Sequence, residues 1–398
     1  MAQLPPGSAS PISRPPSLFS AIFARILCVQ MAFGLSYSAF LLLPKFLRVT
    51  YGASSTTIGW VSGTTVLSGA FFAPLVGSLC GNWSRRWVLG FGMACAGSAA
   101  LAFGFVEHVG LNMYLLRALQ GLAWAAVTNV TATMVADCVP LGRLSQSIGY
   151  LGLSMLVTNA LAPAVTEPVA EKYGWTPVFI GAGILALLAF LAFPGLPSGA
   201  PDQQEAAAEE SSVSFRLLSV HYASFLMGAG IGVMFTFTQP YALEQGATRL
   251  GDFFFGYVGA AVFVRVGLAH VADRVGPGKV AGYALALYAV VVLLTSGMRP
   301  SWLVPLGMGI GVSHGILYPA LTAAGLSRLS ASGRSRFLGW FSGAFNLGFA
   351  VALLGLGPVA DRFGFVPVFL SVGAALASGV LPLIWTHRTL ASASRALA

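Results

Sequence analysis

From residue 20 onward the chain alternates long apolar runs with short polar breaks. A helix needs roughly 20 apolar residues to cross the hydrocarbon of a bilayer. Twelve stretches meet that length: 20–43, 57–80, 87–106, 111–136, 147–169, 176–196, 218–241, 251–270, 280–297, 302–325, 337–358 and 366–386. The segment 197–217, PSGAPDQQEAAAEESSVSFRL, carries Asp202, Glu205, Glu209 and Glu210 without an apolar period, so it reads as a polar linker. It divides the chain into two units of six spans, 20–196 and 218–386. Residues 1–19 open with the Pro/Ser-rich MAQLPPGSASPISRPPS and read as a disordered N-terminus, while 387–398 form a short tail. The apolar run beginning near Leu18 is too long for a signal peptide and lacks a small-residue cleavage site, so it reads as the first span.

Composition agrees with this all-helical membrane reading. Hydrophobic residues make up 56% of the 398 positions and charged residues 8%. A soluble chain is typically about 25% charged, so this one lacks the charge to cover a water-facing surface. The 48 Gly and 22 Pro lie within apolar runs, as they do in membrane helices. A net charge of +9 raises the question of nucleic acid, but the basic residues are scattered without a stripe, which argues against it. The four cysteines, Cys28, Cys80, Cys95 and Cys138, show no metal-ligand spacing.

Loop charge predicts orientation, because Lys and Arg collect on the cytoplasmic side. With both termini inside, 13 basic residues fall in cytoplasmic segments and 6 (Lys45, Arg48, Lys172, Arg249, Arg299 and Arg362) outside, with Arg117 and Arg265 inside spans.

The two halves echo each other. Gly81 meets Asp273 at a shift of 192 (273 − 81), and Glu171-Lys172-Tyr173-Gly174 meets Asp361-Arg362-Phe363-Gly364 at 190 (361 − 171). Gly121 meets Gly311 at 190, and Pro44 meets Pro240 at 196. Repeated six-span units related by an axis along the membrane normal are a transporter architecture.

Four motifs in order carry a resemblance. Ala272-Asp273-Arg274-Val275-Gly276-Pro277-Gly278-Lys279 follows span 8. Its first-half equivalent has Gly81 and Asn82 where acid and base belong and keeps only Arg85 and Arg86. Arg117-Ala118-Leu119-Gln120-Gly121 lies in span 4, and ADCVPLGRLSQSIG at 136–149 follows it. Together these resemble the major facilitator superfamily (MFS) of secondary transporters, whose loop between spans 2 and 3 reads G-x-x-x-D-R-x-G-R-K. The resemblance implies two rocking six-helix bundles. It also implies a conformational latch built from Asp273, Arg274, Gly276 and Lys279 with Arg85, Arg86, Asp137 and Arg143. The first-half latch is degraded, and its gate is expected to be weak.

Ionisable groups inside spans are expensive and point to function. An arginine at the centre of a span costs about 2.5–3.5 kcal/mol on insertion scales, so Arg117 and Arg265 are candidates for binding an anion, against snorkelling to the headgroups. Glu167 is the one acid well inside a first-half span. Desolvation beside Ala162, Pro163 and Val165 would hold it neutral more easily, as a proton-coupling group requires. His314 is the second proton-coupling candidate, against an ordinary packing histidine. Gln30, Tyr37, Gln120, Asn129, Thr236, Gln239, Tyr318 and Asn346, with Trp124 and Phe235, are the remaining candidates for an aromatic, mildly polar substrate cavity.

No nucleophile elbow or phosphate loop appears, which argues against an enzyme or an ATP-driven pump. The expected function is proton-coupled export of a small amphiphilic organic solute by antiport. The alternatives are proton-coupled uptake of an organic anion and, distantly, a transport-dead sensor. The expected partners are the solute, protons and the lipid bilayer, with no cofactor. The expected setting is a monomer in a bacterial inner membrane.

Overall fold

The computed structural model describes residues 20–139, 143–198, 215–267, 276–326, 329 and 331–385. In the first half the helices are α1 (Ala21–Ser38), α2 (Leu43–Tyr51), α3 (Ser55–Asn82), α4 (Arg85–Phe103), α5 (Leu111–Cys138), α6 (Leu144–Tyr173) and α7 (Trp175–Leu188). In the second half they are α8 (Phe215–Thr236), α9 (Thr238–Glu244), α10 (Gly251–Gly267), α11 (Pro277–Thr295), α12 (Leu303–Leu326), α13 (Ala331–Phe363) and α14 (Phe365–Ser378). Among the described residues, ten helical stretches are long and apolar enough to cross a membrane, with α1–α2 and α8–α9 each counted as one. The expected spans 111–136 and 251–270 fall on α5 and α10, which are outside those ten. α5 carries Arg117, Gln120 and Asn129 along its length, and the described part of α10 has 17 residues.

Local chemistry explains the helix ends. Ser20 and Ser54 cap α1 and α3, accepting the N–H of Phe23 and Thr57, each at 3.1 Å. The Glu171–Gly174 and Asp361–Gly364 echoes end α6 and α13 in the same way. Gly174 (φ 82°) and Gly364 (φ 78°) take the left-handed backbone that lets the chain reverse, and their N–H groups donate to Ala170 and Ala360. Lys172 and Arg362 then lie over the rings of Tyr173 and Phe363 at 5.0 and 5.3 Å. One sequence repeat has become one structural repeat.

Inside the membrane region, glycine sets how closely helices approach. A Cβ on Gly121 of α5 would stand 2.3 Å from the Thr65 carbonyl of α3. A Cβ on Gly311 of α12 would stand 2.2 Å from the Tyr257 carbonyl of α10. Small residues at such contacts let backbones meet where lipid supplies no hydrophobic drive. Two buried apolar clusters are built from residues of the first half, and the largest is built from the second half with Leu42 and Leu156 added.

The halves meet along two seams, α3 with α13 and α6 with α10. α3 and α13 press together at one end. A Cβ on Gly59 would stand 2.3 Å from the Leu353 carbonyl, one on Gly357 would stand 2.7 Å from Thr56 Cα, and the Trp60 indole donates to the Leu354 carbonyl at 3.2 Å. Further along the same helices, Cβ atoms on Gly77, Gly339 and Gly343 would meet nothing within 4 Å. Among the described residues, the hydrogen bonds and ion pairs that join the halves cluster at this one closed end.

Candidate functional site

Two clusters of polar and aromatic side chains stand out, one in each half. In the first, Tyr37 of α1 and Trp124 of α5 pack at a tilt of 41° with ring centroids 4.6 Å apart, and Phe33 packs on both. Behind them lies Arg117, only 6% exposed. Its Nε donates to the Val61 carbonyl at 3.4 Å, its Nη1 donates to Gln120 Oε1, and its guanidinium sits 5.6 Å from the Phe40 ring centroid. No carboxylate among the described residues pairs with it. Ser62 and Thr65 on the facing helix have buried hydroxyls without a hydrogen-bond partner among the described residues. Gln30 lies deeper, accepting from the Thr131 hydroxyl at 2.9 Å. Asn129 is exposed on α5.

The second pocket belongs to the other half. His314 of α12 places Nδ1 3.0 Å from the Tyr257 hydroxyl of α10, while its Nε2 is buried without a partner among the described residues. Phe235 of α8 packs edge-on against Tyr257 with centroids 5.1 Å apart. Tyr318 is 40% exposed one turn along α12 from His314. Arg265, half-buried on α10, lies within electrostatic reach of Tyr257, His314 and Tyr318. It also reaches the seam between the halves: a Cβ on Gly152 of α6 would stand 3.7 Å from Arg265 Nη1. It too has no carboxylate partner among the described residues. Thr236 is buried and Asn346 half-buried.

Two of the sequence candidates sit elsewhere. Gln239 is a cross-strut at the closed end, donating to the Leu41 carbonyl at 2.6 Å and accepting the Lys45 N–H at 3.3 Å. Glu167 is not in the apolar surroundings expected for it. Its carboxylate accepts from Lys45 Nζ at 2.6 Å and from the backbone N–H groups of Leu250 and Gly251, both at 2.7 Å. Lys45, expected as an outer loop charge, is 8% exposed and also reaches Glu171 and the Thr248 carbonyl. An i, i+3/i+4 pattern within one helix could not signal this pairing, because Lys45 and Glu167 lie 122 residues apart. Asp361, seen in the sequence only as an echo, accepts the N–H groups of Ser55 and Thr56 at 2.6 and 2.9 Å.

Of the latch candidates, Arg85 and Asp137 form an ion pair at the other end of the first half. Arg86 lies beside that pair in sequence, and Arg143 contributes its carbonyl as acceptor for the Ser147 hydroxyl. Gly276 takes φ 95° and Lys279 is exposed on α11. Asp273 and Arg274 lie outside the described residues.

Two halves joined at one end, each with a cluster of buried polar groups, suit a carrier, and comparison with known proteins identifies the family. The model of the Major Facilitator Superfamily matches residues 26–352. The chain belongs to that superfamily. The staphylopine export protein of Staphylococcus aureus is 23% identical over 81% of this chain and 85% of its own. Monocarboxylate transporter 11 of Mus musculus is 27% identical over 87% of this chain and 76% of its own. The crystal structure of nucleoside transporter NupG superposes with a TM-score of 0.74 at 12% identity, covering 91% of this chain and 98% of that one. The protein is therefore a multi-pass membrane transporter of a small solute.

Proposed function

We propose that the chain carries a small organic anion together with a proton by alternating access between two six-helix units. The observation that supports this is Arg265: a half-buried guanidinium at the seam between the halves, with no carboxylate partner among the described residues. Burying an uncompensated charge costs several kcal/mol, and a substrate carboxylate at that position offsets the cost. Arg117 has less room for this task, because it is enclosed by Val61, Gln120 and Phe40. We assign it to holding α5 against α3.

His314 is the group we assign to the coupling proton. Its free Nε2 lies in the same pocket as Arg265. A bound anion favours the imidazolium, and the imidazolium favours the anion, since such coupling is reciprocal. Proton and anion then travel together. The relative named monocarboxylate transporter 11 favours this reading. A second reading, export by proton antiport of a more amphiphilic solute, is favoured by the relative named for staphylopine export and by the aromatic Tyr37–Trp124 pocket. The remaining expectations, a monomer in a bacterial inner membrane with both termini in the cytoplasm, belong to either reading.

The test is solute-driven proton movement in proteoliposomes, screened with organic acids, hydrophobic cations and neutral drugs. Co-directional proton movement with an organic acid supports the first reading. Counter-directional movement with a cation or neutral solute replaces it with the second.

A further inference from the structure

Where α3 and α5 touch, three buried polar groups come together and all of them donate. Arg117 of α5 gives its Nε–H to the Val61 carbonyl of α3 and has no carboxylate partner among the described residues. Ser62 follows Val61 directly in α3, and Thr65 lies one turn beyond it. These two are 9% and 2% exposed, and their hydroxyl oxygens are buried without a hydrogen-bond partner among the described residues. Neighbouring hydroxyls satisfy themselves on their own helix. Thr64 donates to the Trp60 carbonyl, Ser68 to that of Thr65, and Thr128 to that of Trp124. Thr65 would turn to the Val61 carbonyl one turn back, and that oxygen accepts from Arg117 instead. Donors buried without an acceptor are costly, and a buried charge without a counter-charge more so.

We propose that a small inorganic anion of the halide class binds between α3 and α5, held by the Arg117 guanidinium and the hydroxyls of Ser62 and Thr65. A water molecule could accept from the hydroxyls, but it would leave the charge of Arg117 uncompensated. Size selects the class of anion. Gly121, one turn beyond Arg117, brings the α5 backbone against the Thr65 carbonyl, and Gln120 and Phe40 flank the guanidinium. The space left suits a monatomic ion and excludes an organic carboxylate. Tyr37, within electrostatic reach of Arg117, brings one more hydroxyl to the same cluster. Both helices belong to the first half, so the ion moves with that half as a resident ligand and is not cargo. The site is separate from Arg265, which stands on α10 of the second half, and it holds whichever solute is carried.

The experiment is thermal unfolding of the purified full chain in detergent, in mixtures of sodium chloride and sodium gluconate at constant ionic strength. A ligand of the folded state raises the unfolding midpoint as its concentration grows. The parent midpoint should rise as chloride replaces gluconate, and bromide should act in the same way. Arg117→Gln should lose this response. The double change Ser62→Ala with Thr65→Val keeps the guanidinium and removes both hydroxyl donors, and should weaken the apparent affinity for chloride at least tenfold. Should Arg117→Gln yield no folded protein, the hydroxyl variant decides alone. Arg265→Gln should keep the parent response, which separates this site from the one proposed for the solute. A parent midpoint indifferent to chloride would overturn the proposal. So would equal responses in the parent and the hydroxyl variant, or a response lost in Arg265→Gln and kept in Arg117→Gln.

Discussion

Gly121 and Gly311 stand 190 residues apart (311 − 121) and do the same thing: each presses a helix onto the backbone of its neighbour, one against Thr65 and the other against Tyr257. Neither contact leaves room for a methyl group. Both arginine candidates sit beside these contacts, Arg117 one turn before Gly121 and Arg265 two turns beyond Tyr257. The glycines thus set the spacing on which both pockets depend.

Valine at either glycine should force the helices apart. Overpacking of this kind typically costs about 1–3 kcal/mol, and the helices also lose register at the pocket. We expect Gly121→Val and Gly311→Val each to lower the thermal unfolding temperature in detergent. Gly77→Val, where a Cβ would meet nothing within 4 Å, should leave it unchanged and serves as the control.

The orientation rests on 13 basic residues against 6 in the loops. Cysteines placed at Gln203 and Ala391 should be labelled from the cytoplasmic side only, and one at Val109 from the outside only. The opposite pattern would turn the closed end toward the cytoplasm.

At the other end, the Asp273 motif should favour the outward-open form by a charge-assisted bond to a helix start. Asp273→Asn is expected to slow transport several-fold, since bonds to charged groups are worth about 1.5–3 kcal/mol. Asn82→Asp should change little, because the first-half motif also has Gly81 in place of its acid. Initial rates in proteoliposomes distinguish these outcomes, and wild-type rates in Asp273→Asn would make the loop an ordinary solvated turn.

Much of this was legible in the sequence, and what was not has a physical cause. Helices show through their apolar length, and the turns at Gly174 and Gly364 show through the repeat. The Arg85–Asp137 pair was suggested by its motif. Glu167 was visible as a buried acid, but its environment was not, because Lys45 and the α10 start reach it only when the two halves close. The same holds for Asp361, whose partners lie more than 300 residues away. Arg117 and Arg265 look alike as charges in spans, and only packing separates the enclosed one from the one at the seam. Gln239 read as a cavity amide and is a backbone strut, since period alone does not say which side of a helix meets its neighbour.

His314 separates coupling from binding. His314→Gln should abolish concentrative, proton-driven transport while exchange of solute for solute continues, whereas Glu167→Gln, which removes charge from a contact between the halves, should alter both. Measuring net transport and exchange for each variant across a range of pH checks the assignment. Concentrative transport surviving in His314→Gln moves the proton to another group.

In the proposed mechanism Arg265 receives the anionic group of the solute, and direct binding of an organic acid identified by the proteoliposome screen tests that most closely. Calorimetry on the purified protein should show binding to the parent, a loss of at least tenfold in affinity for Arg265→Gln and partial recovery for Arg265→Lys. Arg117→Gln should lower stability more than affinity. Equal affinity of the parent and Arg265→Gln for the acid would mean that Arg265 does not receive the anion.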